Sequence, residues 1–195
     1  MRWRAIVATM LVLPLLVLAA GCIRSEAPFF ADVTAATPLP DSFVLASEVD
    51  GRRSALRFDR QGDAYLASEN GRVTRYRLLP LEPVDGRRFF IGMETSDRDP
   101  GAYYGLVEIV GEDDVIMHVV EADQLAAELG LSVQSGDGVT TFASQADLVA
   151  VMQRAAAEVV ASEGRYSRFD VLDLADPDQR AKGERLLAQT AEQER

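Results

Sequence analysis

Residues 42–79 read SFVLASEV-DG-RRSALRFDR-QGD-AYLASE-NG-RVTRYRLL, with the hyphens marking where the chain must reverse. Asp50-Gly51 and Asn70-Gly71 are pairs that accept the positive φ angles of tight β turns, and Gln61-Gly62-Asp63 is a third turn signal. The segments between them are therefore strands: Ser42 to Val49, Ser54 to Asp59, Ala64 to Ser68 and Arg72 to Leu79. The fourth alternates, with Thr74, Tyr76 and Leu78 on one face and Val73, Arg75 and Arg77 on the other. One side of this sheet faces a core and the other faces water.

Outward from this stretch the pattern continues. A break at Pro80 and Pro83 precedes Arg88 to Glu94, then Asp99-Pro100-Gly101 leads into Tyr103 to Val110, and Gly111 to Asp114 turns the chain into Val115 to Glu121. About seven strands in succession describe an antiparallel meander, either a curled sheet or a barrel. The last two strands are apolar on both faces and so need cover on both. The next residues supply it: Asp123 is placed to cap a helix through Leu129, and Ser144 with Asp147 resembles a capping box that opens a helix from Gln145 to about Glu163. Leu148, Val151, Met152, Ala155 and Val159 form its apolar stripe, so Leu148 and Met152 are expected against the strands carrying Leu106 and Met117. Between the helices, Leu131 to Val133 and Val139 to Phe142 predict a small hairpin, and Tyr166 to Leu174 is extended. The fold class is α+β, with residues 42–174 as one domain and 175–195 as a polar C-terminal helix or tail beginning at Asp176-Pro177. The aromatic residues Phe89, Phe90, Tyr103 and Tyr104 either line a ligand cavity or belong to the core.

The N-terminus has a different character. Arg2 and Arg4 precede sixteen uncharged residues, Ala5 to Ala20, which are short for a membrane span. Leu18-Ala19-Ala20-Gly21-Cys22 follows, and Cys22 is the one cysteine of the 195 residues. This stretch resembles a bacterial lipoprotein signal, with leucine one place earlier than the usual pattern. The resemblance implies that residues 1–21 are a signal peptide cut between Gly21 and Cys22, and that the Cys22 thiol carries a diacylglycerol. It implies an envelope protein held to a membrane by lipid. In the sorting rule of enteric lipoproteins, aspartate after the cysteine retains the protein in the inner membrane; here that place holds Ile23, which implies the outer membrane, facing the periplasm. Residues 22–41 contain Pro28, Pro38 and Pro40 and read as a tether, although Phe29 and Phe30 could fold back as an added edge strand.

The whole chain has 20 basic and 31 acidic residues; without residues 1–21, which include Arg2 and Arg4, 18 and 31 remain, a net −13. So acidic a surface argues against nucleic acid as a partner. Within it, residues 52–88 form a basic island of nine arginines and five acids. Arg52, Arg53, Arg87 and Arg88 follow two Asp-Gly turns and are candidates for an anion patch, against solvent-facing arginines paired with nearby acids. The two turns stand three strands apart, so a simple meander sends them to opposite ends of the sheet.

No catalytic group is expected: His118, the one histidine, lies in an apolar strand, and no nucleophile accompanies it. Glu112-Asp113-Asp114, Asp97 with Asp99, and Asp170, Asp173, Asp176 and Asp178 lack the glycine and terminal glutamate of a calcium loop, and no cofactor motif occurs. The sequence thus predicts a non-enzymatic interaction or accessory protein of the envelope, whose partners are the membrane, through Cys22, and an unidentified protein. The alternative is a lipocalin-like carrier with an internal apolar cavity, although the chain lacks the lipocalin glycine-and-tryptophan entry motif, Trp3 being its one tryptophan.

Overall fold

The computed structural model of the protein describes residues 22–49, 52–69, 71–136, 138–162 and 164–193. Its core is a closed barrel of eight antiparallel strands. These are β2 (Ser42–Val49), β3 (Arg52–Gln61), β4 (Ala64–Glu69), β5 (Arg72–Pro80), β6 (Arg88–Ser96), β7 (Asp99–Val110), β8 (Asp114–His118) and β11 (Tyr166–Asp173). The first seven pair in chain order; β11 then fills the seam, pairing with β8 on one side and β2 on the other.

Eleven strands are described, where about seven were expected. All seven of the meander are present, and the rest come from segments whose pairing is long-range. β11 is the extended run after the second helix, and its inward Phe169 and Val171 join the barrel interior. β9 (Gln134–Gly136) and β10 (Val139–Thr141) form the small hairpin, whose first strand lies just beyond the expected Leu131 to Val133. β1 (Cys22–Ser25) runs antiparallel to β7 and parallel to β10. Residues 22–41, expected as a tether, thus begin as a strand whose Ile23 is buried, and Phe30 is buried after it. Apolar contact with the outer barrel outweighs the loosening effect of the prolines.

Period-two alternation divides the strands between two environments. Phe43, Phe58, Tyr65, Tyr76, Leu78, Phe90, Val107, Val115, Met117, Phe169 and Val171 fill the interior. Phe89, Ile91, Met93, Tyr104 and Leu106 point outward and are covered by α1 (Ala122–Glu128) and α2 (Gln145–Ala161), whose Leu148, Val151 and Met152 are fully buried there. Met117 faces the interior and does not meet Leu148, because the register that points Leu106 outward points Met117 inward. Ser144 caps α2, accepting from the Asp147 amide at 3.4 Å. Asp123 does not cap α1: the N-cap is Glu121, which makes no side-chain capping bond, and Asp123 lies in the first turn.

On the far side of the barrel, α3 (Pro177–Gln193) covers Val44, Ala46, Ala55 and Leu172 with Leu186 and Leu187. Its start is fixed by Asp176, whose Oδ1 accepts from the amides of Asp178 and Gln179. Gly183 allows the close approach: a Cβ there would stand 3.2 Å from Val44 Cγ2. Among the described residues, no helix is long and apolar enough to cross a membrane.

Candidate functional site: the barrel mouth

Strand direction gives the barrel two unlike ends. The β3–β4 turn, the β5–β6 connection and the β7–β8 turn lie at one end, and this end is plugged. Ala36 forms an isolated bridge with Leu78, and Leu39 both donates its amide to the Tyr65 hydroxyl and accepts from it, each at 3.0 Å. The plug is tied down by Arg77, a buried guanidinium that donates to the carbonyls of Phe30, Ala31 and Val33 and pairs with Asp63 at 2.6 Å. Asp63 Oδ2 also accepts from the Ala35 amide, and these bonds, the amide first, hold its carboxyl below the usual range.

The opposite end, where β2 meets β3, β4 meets β5 and β6 meets β7, is lined by polar residues. Continuing inward from Phe43 and Phe58, every second residue leads to Ser47 and Ser54, whose hydroxyls bond at 2.9 Å. From Tyr76 the same rule leads to Thr74, and from Phe90 through Gly92 to Glu94. Leu45 and Leu56, half-buried, sit between this polar ring and the aromatic interior.

Glu94 is the unusual member. It is 5% exposed, and its Oε2 has no hydrogen-bond partner among the described residues. Burial pushes its carboxyl from 4.5 up to about 7, against the pull of Arg72 and a hydrogen bond with Tyr76. Burial likewise raises the Tyr76 hydroxyl. Glu94 lines a small cavity of about 50 Å³ whose other walls include Leu45, Phe58, Tyr76, Val107 and Val115. That is far below the several hundred Å³ of a site that encloses a whole small molecule. The interior of this barrel is packed rather than hollow, with Phe43 stacked on Phe58 at 5.1 Å and both meeting tyrosine edges.

A second buried polar cluster lies on the outer face. Glu108 of β7, 3% exposed, takes both Arg87 Nε at 2.7 Å and Nη2 at 2.6 Å, and its Oε2 lies 2.9 Å from His118 Nε2. Burial alone would raise the Glu108 carboxyl; the bonds from Arg87 and His118 outweigh it and hold the group below its ordinary value. Burial in turn lowers the His118 imidazole, with Glu108 opposing. The neutral tautomer therefore carries its proton on Nε2, leaving Nδ1 as a buried acceptor with no partner among the described residues. Phe89 and Tyr166 flank the ring at 5.9 and 6.2 Å between centroids. The cluster ties the β5–β6 connection, which carries Arg87, to β7 and β8, and among the described residues no hydroxyl or thiol is hydrogen-bonded to the imidazole.

The arginines of the basic island are distributed. Arg53 pairs with Glu48 at 2.8 Å, Arg87 is held by Glu108, and Arg88 donates to the Gly111 carbonyl at 3.0 Å. Arg52 is described by its backbone alone, opposite Val49. β3 starts at the mouth and the Asp85-Gly86 turn lies at the plugged end, as strand parity requires. Of the four aromatic residues singled out in sequence, Phe90 lies inside, Phe89 and Tyr104 belong to the outer cluster, and Tyr103 donates to Asp99 at 3.1 Å with the Arg24 guanidinium over its ring. Tyr104 uses its hydroxyl to bond Ser25 at 2.7 Å and to accept from the Phe29 amide at 3.1 Å, which fixes the 22–30 segment on the barrel. Gly21 and the signal segment 1–21 lie outside the described residues; Cys22 is the first residue of β1, its backbone opposite Val139. Among the described residues no three His, Cys, Asp or Glu side chains gather as metal ligands do.

No protein-family model matches the chain, and no match to it emerges among curated proteins or solved structures.

Proposed function

We propose that this chain is a lipid-anchored envelope protein that acts by binding a partner and not by catalysis. The observation that carries the binding role is the packed barrel. Aromatic side chains fill its interior, where the cavity beside Glu94 holds about 50 Å³, and the wider grooves, of about 550, 540 and 420 Å³, lie outside the barrel along α3. Such a barrel works as a rigid scaffold that presents its rim and helices. The buried polar groups point the same way: Glu108 and Arg77 are each consumed by several local bonds, which is the pattern of structural networks.

The anchor rests on the sequence from Arg2 to Cys22. An acylated Cys22, processed with a further chain on its amino group, holds firmly, since more than one acyl chain takes attachment beyond the reversible range. β1 starts at Cys22, so the anchor and the fold are contiguous and the barrel stands directly at the bilayer surface. The outer membrane, periplasmic face, is the location favoured by Ile23.

The lipocalin-like carrier is the second reading, and the closed eight-stranded antiparallel barrel is the observation that favours it. Replacement of Cys22 by serine tests the anchor. The variant is expected in the periplasmic fraction or as an unprocessed precursor; normal cleavage with unchanged membrane fractionation refutes the lipid anchor.

A further inference from the structure

At the barrel mouth one buried carboxylate oxygen is an acceptor with nothing to accept. Glu94 Oε2 has no hydrogen-bond partner among the described residues, yet the residue is 95% removed from solvent. A buried acceptor left in this condition costs more than one kept in water. The neighbours do not meet the need. Tyr76 supplies one hydrogen bond to the carboxyl and still leaves Oε2 without a partner. Arg72 acts on it through space and stands opposite Glu69 in the β4–β5 register.

The rest of the cavity wall is mostly apolar, with Leu45, Phe58, Val107 and Val115 beside Tyr76, and it runs on to Leu39, Tyr65 and Arg77 toward the plugged end. A group that fits must therefore be a hydrogen-bond donor at its tip and hydrocarbon behind. It must also be slim, because about 50 Å³ admits only a head of a few heavy atoms. The stem behind such a head passes Leu45, the half-buried leucine that lines the cavity below the serine ring.

We propose that the barrel mouth is a binding site for an alkylammonium group, with Glu94 as its anionic partner at the base and Leu45 along its stem. A primary ammonium supplies three N–H donors and a positive charge, and a carboxylate in an apolar wall gains most from a partner of that kind. A carboxylate or phosphate head would be repelled by Glu94, and a neutral alcohol would satisfy the oxygen without matching its charge. The ammonium can come from the lysine side chain of a protein partner or from a free alkylamine. Both carry the same head on the same kind of stem. This goes beyond the scaffold role, since it gives the mouth a ligand chemistry independent of how the protein is anchored.

The test is titration of the purified protein at pH 8 with butylammonium, butanol, butyrate and Nα-acetyl-lysine amide, read by calorimetry and by the ¹³C resonance of the Glu94 carboxyl. Butylammonium or the lysine amide is expected to bind at least tenfold more tightly than butanol, to displace the Glu94 resonance, and to lose at least tenfold in affinity in Glu94→Gln. Tighter binding of the lysine amide identifies a protein side chain as the source; tighter binding of butylammonium identifies a free amine. The proposal is overturned if neither amine binds, if butanol or butyrate binds as well, or if Glu94→Gln binds unchanged. Should that variant not fold, the carboxyl resonance of the unaltered protein decides, and a resonance unmoved by saturating amine overturns the proposal.

Discussion

Replacing Glu94 by glutamine changes one oxygen to an amide and removes one buried ionisation. In the folded protein the carboxyl titrates at about 7, against 4.5 when it is free of the fold. The native state therefore holds this proton more tightly than the unfolded chain does. Below pH 4.5 both states are protonated and the group is neutral in its effect. As pH rises from 4.5 to 7 the unfolded chain ionises first, so the group progressively destabilises the fold, and the cost is complete above 7. At about 1.4 kcal/mol per pH unit, the interval amounts to about 3 kcal/mol. Glu94→Gln is thus expected to be nearly as stable as the unaltered protein at pH 4 and about 3 kcal/mol more stable at pH 8. Urea denaturation of both proteins across this range measures the difference as a shift in midpoint that opens between pH 4.5 and 7. Comparison of the two proteins at each pH removes the contribution of every other titrating group. A difference that is constant with pH, or that favours the glutamate at pH 8, refutes the claim that Glu94 is a buried carboxyl short of partners.

Two further outcomes follow from packing. Leu148 is 0% exposed between α2 and the outer barrel, so Leu148→Asp is expected to lower stability by several kcal/mol, read as a fall in thermal midpoint; an unchanged melt refutes the cover of the sheet by α2. Gly183→Leu is expected to cost about 1–3 kcal/mol by forcing α3 away from Val44. Its signature is faster proteolysis within 177–193, and an unaltered digestion pattern refutes the close approach.

The turns made most of the barrel legible. Asp50-Gly51, Asn70-Gly71 and the acidic turn at 111–114 each demand a reversal, so the seven meander strands follow from local chemistry. Closure did not follow, because β11 is separated from β8 by two helices and a hairpin, and no local signal says which edges a strand will join. β1 was hidden for the same reason: four residues, paired with β7 and β10 far along the chain, among prolines that suggest a tether. Face assignment was legible where one face is polar, as in β5, and failed where both are apolar, so that Met117 was set against α2 when it points inward. Glu94 was the end of a strand in sequence. Its inward position depends on counting two places from Phe90 with Phe90 known to be inside, and the neighbouring Phe89 is an equally good candidate for that side until the helices are in place.

The proposed anchor joins the barrel to a membrane lipid at the first residue of β1, and the intact mass of the protein isolated from membranes decides it. The expected species begins at Cys22 and exceeds the mass of residues 22–195 by a thioether-linked diacylglycerol, with or without a further acyl chain on the amino group. A chain that begins elsewhere, or that begins at Cys22 with a free thiol, contradicts it.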